Sequence, residues 1–243
     1  MNPIAVAVAV AVLVACTALI LRWARVPIAA SAALAVLRGA AQLAAVSVLL
    51  GLALTRDWAA ALVLAVMLGT AIVTARGRVK EFPRALPAMA IAIGAGALLT
   101  LGVVFLSGAF DFEPRYLIAF AGIVIGGAMT PASTAGRQLW LGLVHRADEV
   151  EGWLALGATP RQAVSDLARS AVAEALRPAI DQTRTTGLVT LPGAFVGALL
   201  AGASPIDAGV FQVTVLAGLL AAGSLASTVT VYLLGAPSTL PAR

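Results

Sequence analysis

Residues that could do chemistry are few in this chain, and they lie far apart. Cys16 is the only cysteine and His145 the only histidine among the 243 residues. A structural zinc site needs several such ligands, and a Ser-His-Asp triad needs a histidine close to its nucleophile. We therefore predict neither a catalytic site nor a cysteine-based metal site, and we interpret the chain as something other than an enzyme.

Arg38 and Gln42 are the most unusual polar residues, because they lie inside an apolar segment. An arginine at the centre of a membrane helix costs about 2.5–3.5 kcal/mol on insertion scales, so it should face a cavity or a partner. Gln42 follows one turn later on the same helix face. The pair could line a transport route, or Arg38 could be a structural charge capped by carbonyls or by an acidic residue.

Three other features near or within apolar segments have local interpretations. Asp181 and Arg184 are spaced for a salt bridge on a helix surface. Leu191-Pro192-Gly193 predicts a kink, since proline removes a backbone hydrogen bond, and that kink could be a gating hinge or a static bend. Met129 and Cys16 are the sulfur candidates in mid-segment. No apolar segment holds two carboxylates, so the metal ligands, if any, stay unknown.

The elements that must position these residues are membrane helices. The chain is 61% hydrophobic and 11% charged, against about 25% charged residues in a soluble domain. We predict an all-α integral membrane protein, a single transmembrane domain over residues 1–243. Seven segments approach the ~20 apolar residues that a crossing needs. They are Pro3–Leu21, Ile28–Leu54, Trp58–Ala75, Leu86–Ser107, Tyr116–Ala135, Thr185–Ala203 and Ala208–Leu234.

The distribution of basic residues predicts the orientation. Arginines and the only lysine concentrate in the loops after segments one, three and five. The alternate loops hold only Arg56 with Asp57, Arg115 with Asp111 and Glu113, and Asp207. The positive-inside rule then places the N-terminus outside and the C-terminus in the cytoplasm, for a multi-pass protein of the inner or plasma membrane. Because these basic residues lie between spans in the lipid bilayer, we do not expect the net charge of +5 to indicate a nucleic-acid partner.

A loop over residues 137–178 is much longer than a connection requires. We predict a short helix that ends near Gly157 and a second helix from Pro160 to about Leu176, with Thr159 as its N-cap and Pro178 at the start of span six. Our hypothesis is that the first helix docks on a cytoplasmic ATPase and transmits rigid-body motion to the spans. Alternatively, it lies on the membrane surface, anchored by Trp153. The docking candidates are Glu149, Glu151, Trp153, Leu154, Leu156, Gly157, Ala158, Thr159 and Pro160.

The chain has no Walker A loop, because its single lysine, Lys80, follows no glycine-rich stretch. ATP and magnesium would therefore bind to the partner, and we predict no cofactor in this chain.

Several strings resemble the FetB-type permeases of ABC transporters, a family that includes bacterial iron exporters and plant aluminium-tolerance permeases. The longest matches are Glu151 through Val164 and Pro178 through Gly193. Shorter ones are Arg38-x-x-x-Gln42, Ala121-Gly122 to Ala128-Met129, and Ala201-Gly202 through Pro205. The resemblance implies a homodimeric permease that exports a metal ion such as iron and works with a separately encoded ATPase.

The resemblance also implies where the solute passes. Asp181, Gln182 and Arg184 would lie at the cytoplasmic mouth of the pathway, below Leu191-Pro192-Gly193. The chain departs from the family at Ala194 and Phe195, where a pair of methionines is usual, and at Gly127, where an asparagine is usual. These departures leave the substrate open.

Two other classes remain as alternatives to an ATP-driven permease. A secondary transporter would need coupling-ion ligands or acidic residues within the membrane, and the predicted spans have almost no ionisable residue besides Arg38. A membrane scaffold without transport activity is the other alternative.

Overall fold

The structure is a computed structural model that describes residues 2–53 and 57–236. In those ranges the chain forms ten α-helices and no strand, apart from an isolated bridge between Thr186 and Thr190. The predicted all-α fold is confirmed. The helices are α1 (Pro3–Trp23), α2 (Ala29–Ala53), α3 (Asp57–Arg78), α4 (Ala85–Leu106), α5 (Pro114–His145), α6 (Ala147–Ala155), α7 (Pro160–Ala163), α8 (Ser165–Thr185), α9 (Gly193–Leu200) and α10 (Pro205–Leu234).

The chain divides into two compact units, Met1–Ala60 and Ala61–Arg243. In the first unit, α1 and α2 form a helical hairpin. The Asn2 side chain caps α1 by accepting a hydrogen bond from the Ile4 N–H at 3.1 Å. The predicted end of the second span, Leu54, lies outside the described residues.

The second unit has α10 at its centre, in contact with α4, α5 and α8. Its fully buried side chains include Met89 and Ile93 of α4 and Phe120 and Leu139 of α5. Small residues let the backbones approach closely: a Cβ on Gly96 of α4 would lie 2.6 Å from the Ala222 carbonyl oxygen of α10.

Contacts at the two ends of the second unit show how its helices are directed. At the aromatic end, Phe110 packs on Phe120 and Phe211, where α4 ends and α5 and α10 begin. At the opposite end, Gly136 of α5 contacts Val79 and Thr230. We call this the basic end, because Arg76, Arg78, Lys80, Arg84 and Arg137 surround it. Helices α3, α5 and α10 therefore run parallel to one another, and α4 runs the other way.

Six helices of the described chain are long and apolar enough to cross a membrane, namely α1, α2, α3, α4, α5 and α10. The predicted count of about seven is therefore approximate, and the difference lies in one segment. The sixth predicted span, Thr185–Ala203, is not one helix, and its interruption is wider than the kink predicted at Leu191-Pro192-Gly193. Thr185 ends α8, residues 186–192 are not helical, and α9 has only 8 residues.

The segment from α8 to α9 nevertheless extends from the basic end of the second unit to its aromatic end. Leu167, near the start of α8, contacts Gly142 of α5, and Leu176 contacts Gly223 of α10. Farther along, Ala194 and Ala198 of α9 lie beside Tyr116 at the aromatic end. We call α8, residues 186–192 and α9 the broken crossing. It runs antiparallel to α5 and α10. Because it returns the chain from the basic end to the aromatic end, α10 begins at the same end as α5 and runs parallel to it.

The predicted 137–178 loop is shorter than expected, because helices on both sides extend into it. Helix α5 continues to His145, and α8 begins at Ser165. Leu139 and Leu143 of α5 are fully buried, and Leu167 of α8 packs over Gly142, so this extension is held by apolar contacts. Pro178, predicted at the start of a span, lies inside α8.

Candidate functional site

The depth of the broken crossing follows from its contacts with α5. Helix α5 rises about 30 Å from Tyr116 to Gly136, which is the thickness of the hydrocarbon core. Leu176 of α8 lies level with Pro131, since both contact Gly223. That level is about 7 Å inside Gly136, and Asp181 follows about 7 Å farther along α8. Asp181 therefore lies about midway between the levels of Tyr116 and Gly136 of α5.

Asp181 and Arg184 form the predicted i,i+3 ion pair, with a distance of 3.5 Å between Arg184 Nη1 and Asp181 Oδ1. Their side chains are 69% and 75% exposed. An exposed ion pair adds little stability, and charges at this depth are expensive against lipid, so they normally face water or protein. That these residues lie at the cytoplasmic mouth of a pathway stays a prediction.

Two more ion pairs continue the charged face of α8 toward the basic end. Asp166 pairs with Arg169 at 3.0 Å, and Glu174 pairs with Arg177 at 3.1 Å. The opposite face of the helix carries the buried residues Leu167, Ala171 and Ala175. Helix α8 is thus amphipathic along its whole length, although it packs against membrane-spanning helices.

The non-helical break at 186–192 has an irregular backbone at a similar depth. Gly187 has a φ of 87°, a conformation that residues with a Cβ rarely adopt. The Gly187 N–H donates to the Thr190 carbonyl at 2.9 Å, whereas Leu188 and Val189 are 93% and 77% exposed. Non-helical backbone is tolerated at this depth only inside protein or beside a water-filled cavity. The kink predicted at Leu191-Pro192-Gly193 is therefore part of a wider break, with Pro192 as the N-cap of α9.

A cavity of about 700 Å³ lies beyond the break at the aromatic end. Its lining residues include Ala194 and Ala198 of α9, Tyr116 of α5, and Asp111 and Asp207. Asp207 accepts a hydrogen bond from the Ser204 hydroxyl at 2.7 Å. Sequence analysis treated both aspartates only as loop charges, because no local pattern shows that loops before α5 and α10 meet.

Residues 146–164, which we call the coupling element, connect α5 to α8 beyond the basic end. The predicted first helix is confirmed as α6, which is followed by Leu156 and by Gly157 at a φ of 90°. The predicted cap at Thr159 is also confirmed. Its N–H donates to Gln162 Oε1 at 2.8 Å and its hydroxyl accepts from the Gln162 N–H, with Pro160 at the first helical position.

The tip of the coupling element carries exposed apolar side chains. Leu156 is 81% exposed and Trp153 50% exposed, whereas Val150 of α6 is buried. Glu149 is held in an ion pair with Arg146 at 2.6 Å, and Glu151 is exposed. A groove of about 530 Å³ runs between α6 and the start of α8. It is lined by Glu149, Trp153, Leu156, Gly157, Ala158, Gln162, Ala163, Ser165, Asp166 and Leu167.

The coupling element is also tied to α10. The Arg161 guanidinium lies 3.9 Å from the centre of the Tyr232 ring in the last turn of α10. This cation–π contact was missed by sequence analysis, since the two residues are 71 positions apart and no local pattern connects them. It joins α7 to the helix at the centre of the unit.

The remaining site candidates lie elsewhere. Arg38 and Gln42 are exposed on α2, and Arg38 pairs with no residue of the described chain. Their role stays a prediction. Met129 is half-buried and packs against the core of the second unit. No group of three or more His, Cys, Asp or Glu side chains that could hold a metal occurs within residues 2–53 and 57–236.

This arrangement defines a multi-pass, all-helical membrane protein with a broken crossing and a protruding connection beside it. The chain belongs to the uncharacterised protein family UPF0014, whose sequence model matches residues 4–237. The predicted resemblance to FetB-type proteins is thereby confirmed.

Named relatives come from plants and bacteria. UPF0014 membrane protein STAR2 of Oryza sativa is 36% identical over 201 residues, which cover 82% of this chain and 70% of that protein. Protein ALUMINUM SENSITIVE 3 of Arabidopsis thaliana is 36% identical over 167 residues, or 69% and 61% of the two chains. The probable iron export permease protein FetB of Escherichia coli is 36% identical over 159 residues, or 65% and 61%. No solved structure matches the chain significantly.

Proposed function

We propose that this chain is the permease subunit of an ABC transporter, driven by a separately encoded ATPase that docks on the coupling element. The observation that carries the proposal is the continuity between that element and the broken crossing. Helix α7 is separated from α8 by Val164 alone, so a force on the tip acts directly on the helix that bears the Asp181–Arg184 ion pair. The exposed Leu156 and Trp153 supply an apolar surface beyond the bilayer, which suits a protein partner.

The proposed solute route follows α8, the break and α9. It passes the Asp181–Arg184 pair and leads to the cavity that contains Asp111 and Asp207. Carboxylate, hydroxyl and carbonyl oxygens along this route suit a hard cation. The relative FetB of Escherichia coli is a probable iron export permease, which supports iron as the metal and export as the direction.

We also propose that the working permease is a homodimer. The charged face of α8 is exposed in one copy, including the side chains of Asp181 and Arg184, which are 69% and 75% exposed. A second copy would enclose this face and keep it from lipid, as membrane charges require. Two-fold symmetry would then place two broken crossings around one pathway.

Cross-linking tests the docking proposal. In a Cys16→Ala background, a photo-reactive label is attached to Leu156→Cys at the tip or to Leu106→Cys at the aromatic end. These two leucines are 81% and 89% exposed, so they are matched in accessibility. We expect Leu156→Cys, and not Leu106→Cys, to cross-link in native membranes to a protein that mass spectrometry identifies as an ABC-type ATPase.

The opposite result is equally clear. If Leu156→Cys cross-links only to lipid, the coupling element lies on the membrane surface and the chain has another function. If both positions capture the ATPase equally, the capture is not specific to the coupling element, and the docking proposal is wrong.

We further propose that the basic end faces the cytoplasm, with the N-terminus outside and the C-terminus inside. Arginines at one end of the second unit and Asp111 and Asp207 at the other support this orientation. We expect a membrane-impermeant thiol reagent to label Asp111→Cys from outside intact cells and to label Arg78→Cys only after the membrane is opened. The reverse pattern would overturn the orientation.

A further inference from the structure

A second polar cavity, of about 380 Å³, lies between α3 and α5 at the basic end. It is separate from the broken crossing and the coupling element. Its lining residues are Arg78, Ser133, Thr134, Arg137, Gln138 and Leu141. The lining thus combines two guanidinium groups with hydroxyl and amide donors, and it contains no carboxylate.

A hydrogen bond to the wall of the cavity holds the guanidinium group of Arg78. Its Nη1 donates to the Ser133 hydroxyl oxygen at 3.2 Å, and Ser133 itself donates to the Thr130 carbonyl at 3.1 Å. Ser133 is 1% exposed, so this anchor is buried in the wall of the cavity. A guanidinium has five N–H donors, and one hydrogen bond leaves the others available to a ligand.

Arg137 supplies the second charge. Neither Arg78 nor Arg137 forms an ion pair with any residue of the described chain, although most arginines of the neighbouring coupling element and α8 do. Two uncompensated guanidinium groups around one cavity attract an anion, and planar bidentate donors match phosphoryl oxygens particularly well.

The position of the cavity along α5 limits the class of ligand that it could bind. The lining runs from Ser133, one turn inside Gly136, to Leu141, more than one turn beyond it and toward the headgroup region. Lipid phosphates lie at this level, and basic pockets between membrane helices bind anionic headgroups there. The volume is also within the range of ordinary ligand sites.

We propose that this cavity binds a phosphoryl anion, coordinated by Arg78, Arg137 and the polar side chains between them. Both an anionic lipid headgroup and free phosphate have this chemistry. The site does not depend on the proposed transport function, because neither the ATPase nor the solute enters the argument.

Binding to the purified full chain in a neutral detergent tests the proposal. Native mass spectrometry and thermal-shift titration are carried out with short-chain phosphatidylglycerol and, separately, with inorganic phosphate. We expect at least one of the two to bind to the wild-type chain. The Arg78→Gln/Arg137→Gln double variant should bind roughly tenfold or more weakly, since each charged hydrogen bond contributes substantially.

Two further variants sharpen the test. Arg76→Gln removes the same charge from the last turn of α3 without altering the cavity lining, so it should bind like the wild type. Arg137→Gln alone should weaken binding without affecting folding, because Arg137 makes no hydrogen bond in the described chain.

Comparing the two probes shows whether the anion belongs to a lipid headgroup or is soluble. Lipid binding that phosphate does not displace indicates a headgroup, whereas binding of phosphate alone indicates a soluble anion, and either result supports the site. The proposal is overturned if neither probe binds to the wild type, if Arg137→Gln binds as the wild type does, or if Arg76→Gln weakens binding equally.

Discussion

Replacing Leu156 with aspartate is expected to abolish stable association with the ATPase and, with it, transport. Leu156 is 81% exposed at the end of α6, next to the half-exposed Trp153. Burying an unpaired carboxylate in an apolar contact is costly, and loss of a hot-spot residue costs at least about 2 kcal/mol, or about 30-fold in affinity. Association is measured by co-purification and transport by solute efflux from loaded vesicles.

The matched control is Leu156→Met, which keeps an apolar side chain of similar volume at the same position. It should retain both association and transport. Because Leu156 contributes almost nothing to the core, both variants should also have wild-type thermal midpoints. If Leu156→Asp associates and transports normally, the coupling element is not where the ATPase binds.

Replacing Gly96 with alanine is expected to destabilise the second unit. The added Cβ would lie 2.6 Å from the carbonyl oxygen of Ala222, which belongs to the backbone of α10 and cannot rotate away. Helices α4 and α10 must then separate, and overpacking of this kind typically costs about 1–3 kcal/mol. The thermal midpoint of the detergent-purified protein should fall by a few degrees to about ten.

Gly94→Ala is the control two residues away on the same helix, where a Cβ would meet nothing within 4 Å. It should leave the midpoint unchanged or raise it slightly, since alanine is the better helix former. A second test depends on which atom of Ala222 the added Cβ would meet. Ala222→Gly should not rescue Gly96→Ala, because the obstructing atom is a main-chain oxygen. Equal midpoints for Gly96→Ala and Gly94→Ala would show that α4 and α10 do not pack this closely.

Local chemistry determined much of what sequence analysis predicted. Apolar length alone was enough to locate most of the membrane helices, because no water is present in the bilayer to satisfy an unpaired backbone. The Thr159-Pro160 cap and the end of α6 before Gly157 were predictable for a similar reason. Both depend on side chains and backbone conformations within four residues of each other.

The tertiary structure decided the features that depend on distant contacts. Residues from Thr185 to Ala203 are apolar enough for a span, and the sequence predicts a kink at Leu191-Pro192-Gly193. The turn at Gly187 and the packing of α9 near Tyr116 show that the break is wider than this kink. Helix α5 continues past Gly136 because Leu139 and Leu143 find buried positions there. Arg78 and Ser133 are 55 positions apart, so their shared cavity follows from the packing of α3 on α5. Hydropathy reports where a chain can enter lipid, whereas breaks and binding cavities depend on which side chains meet across helices.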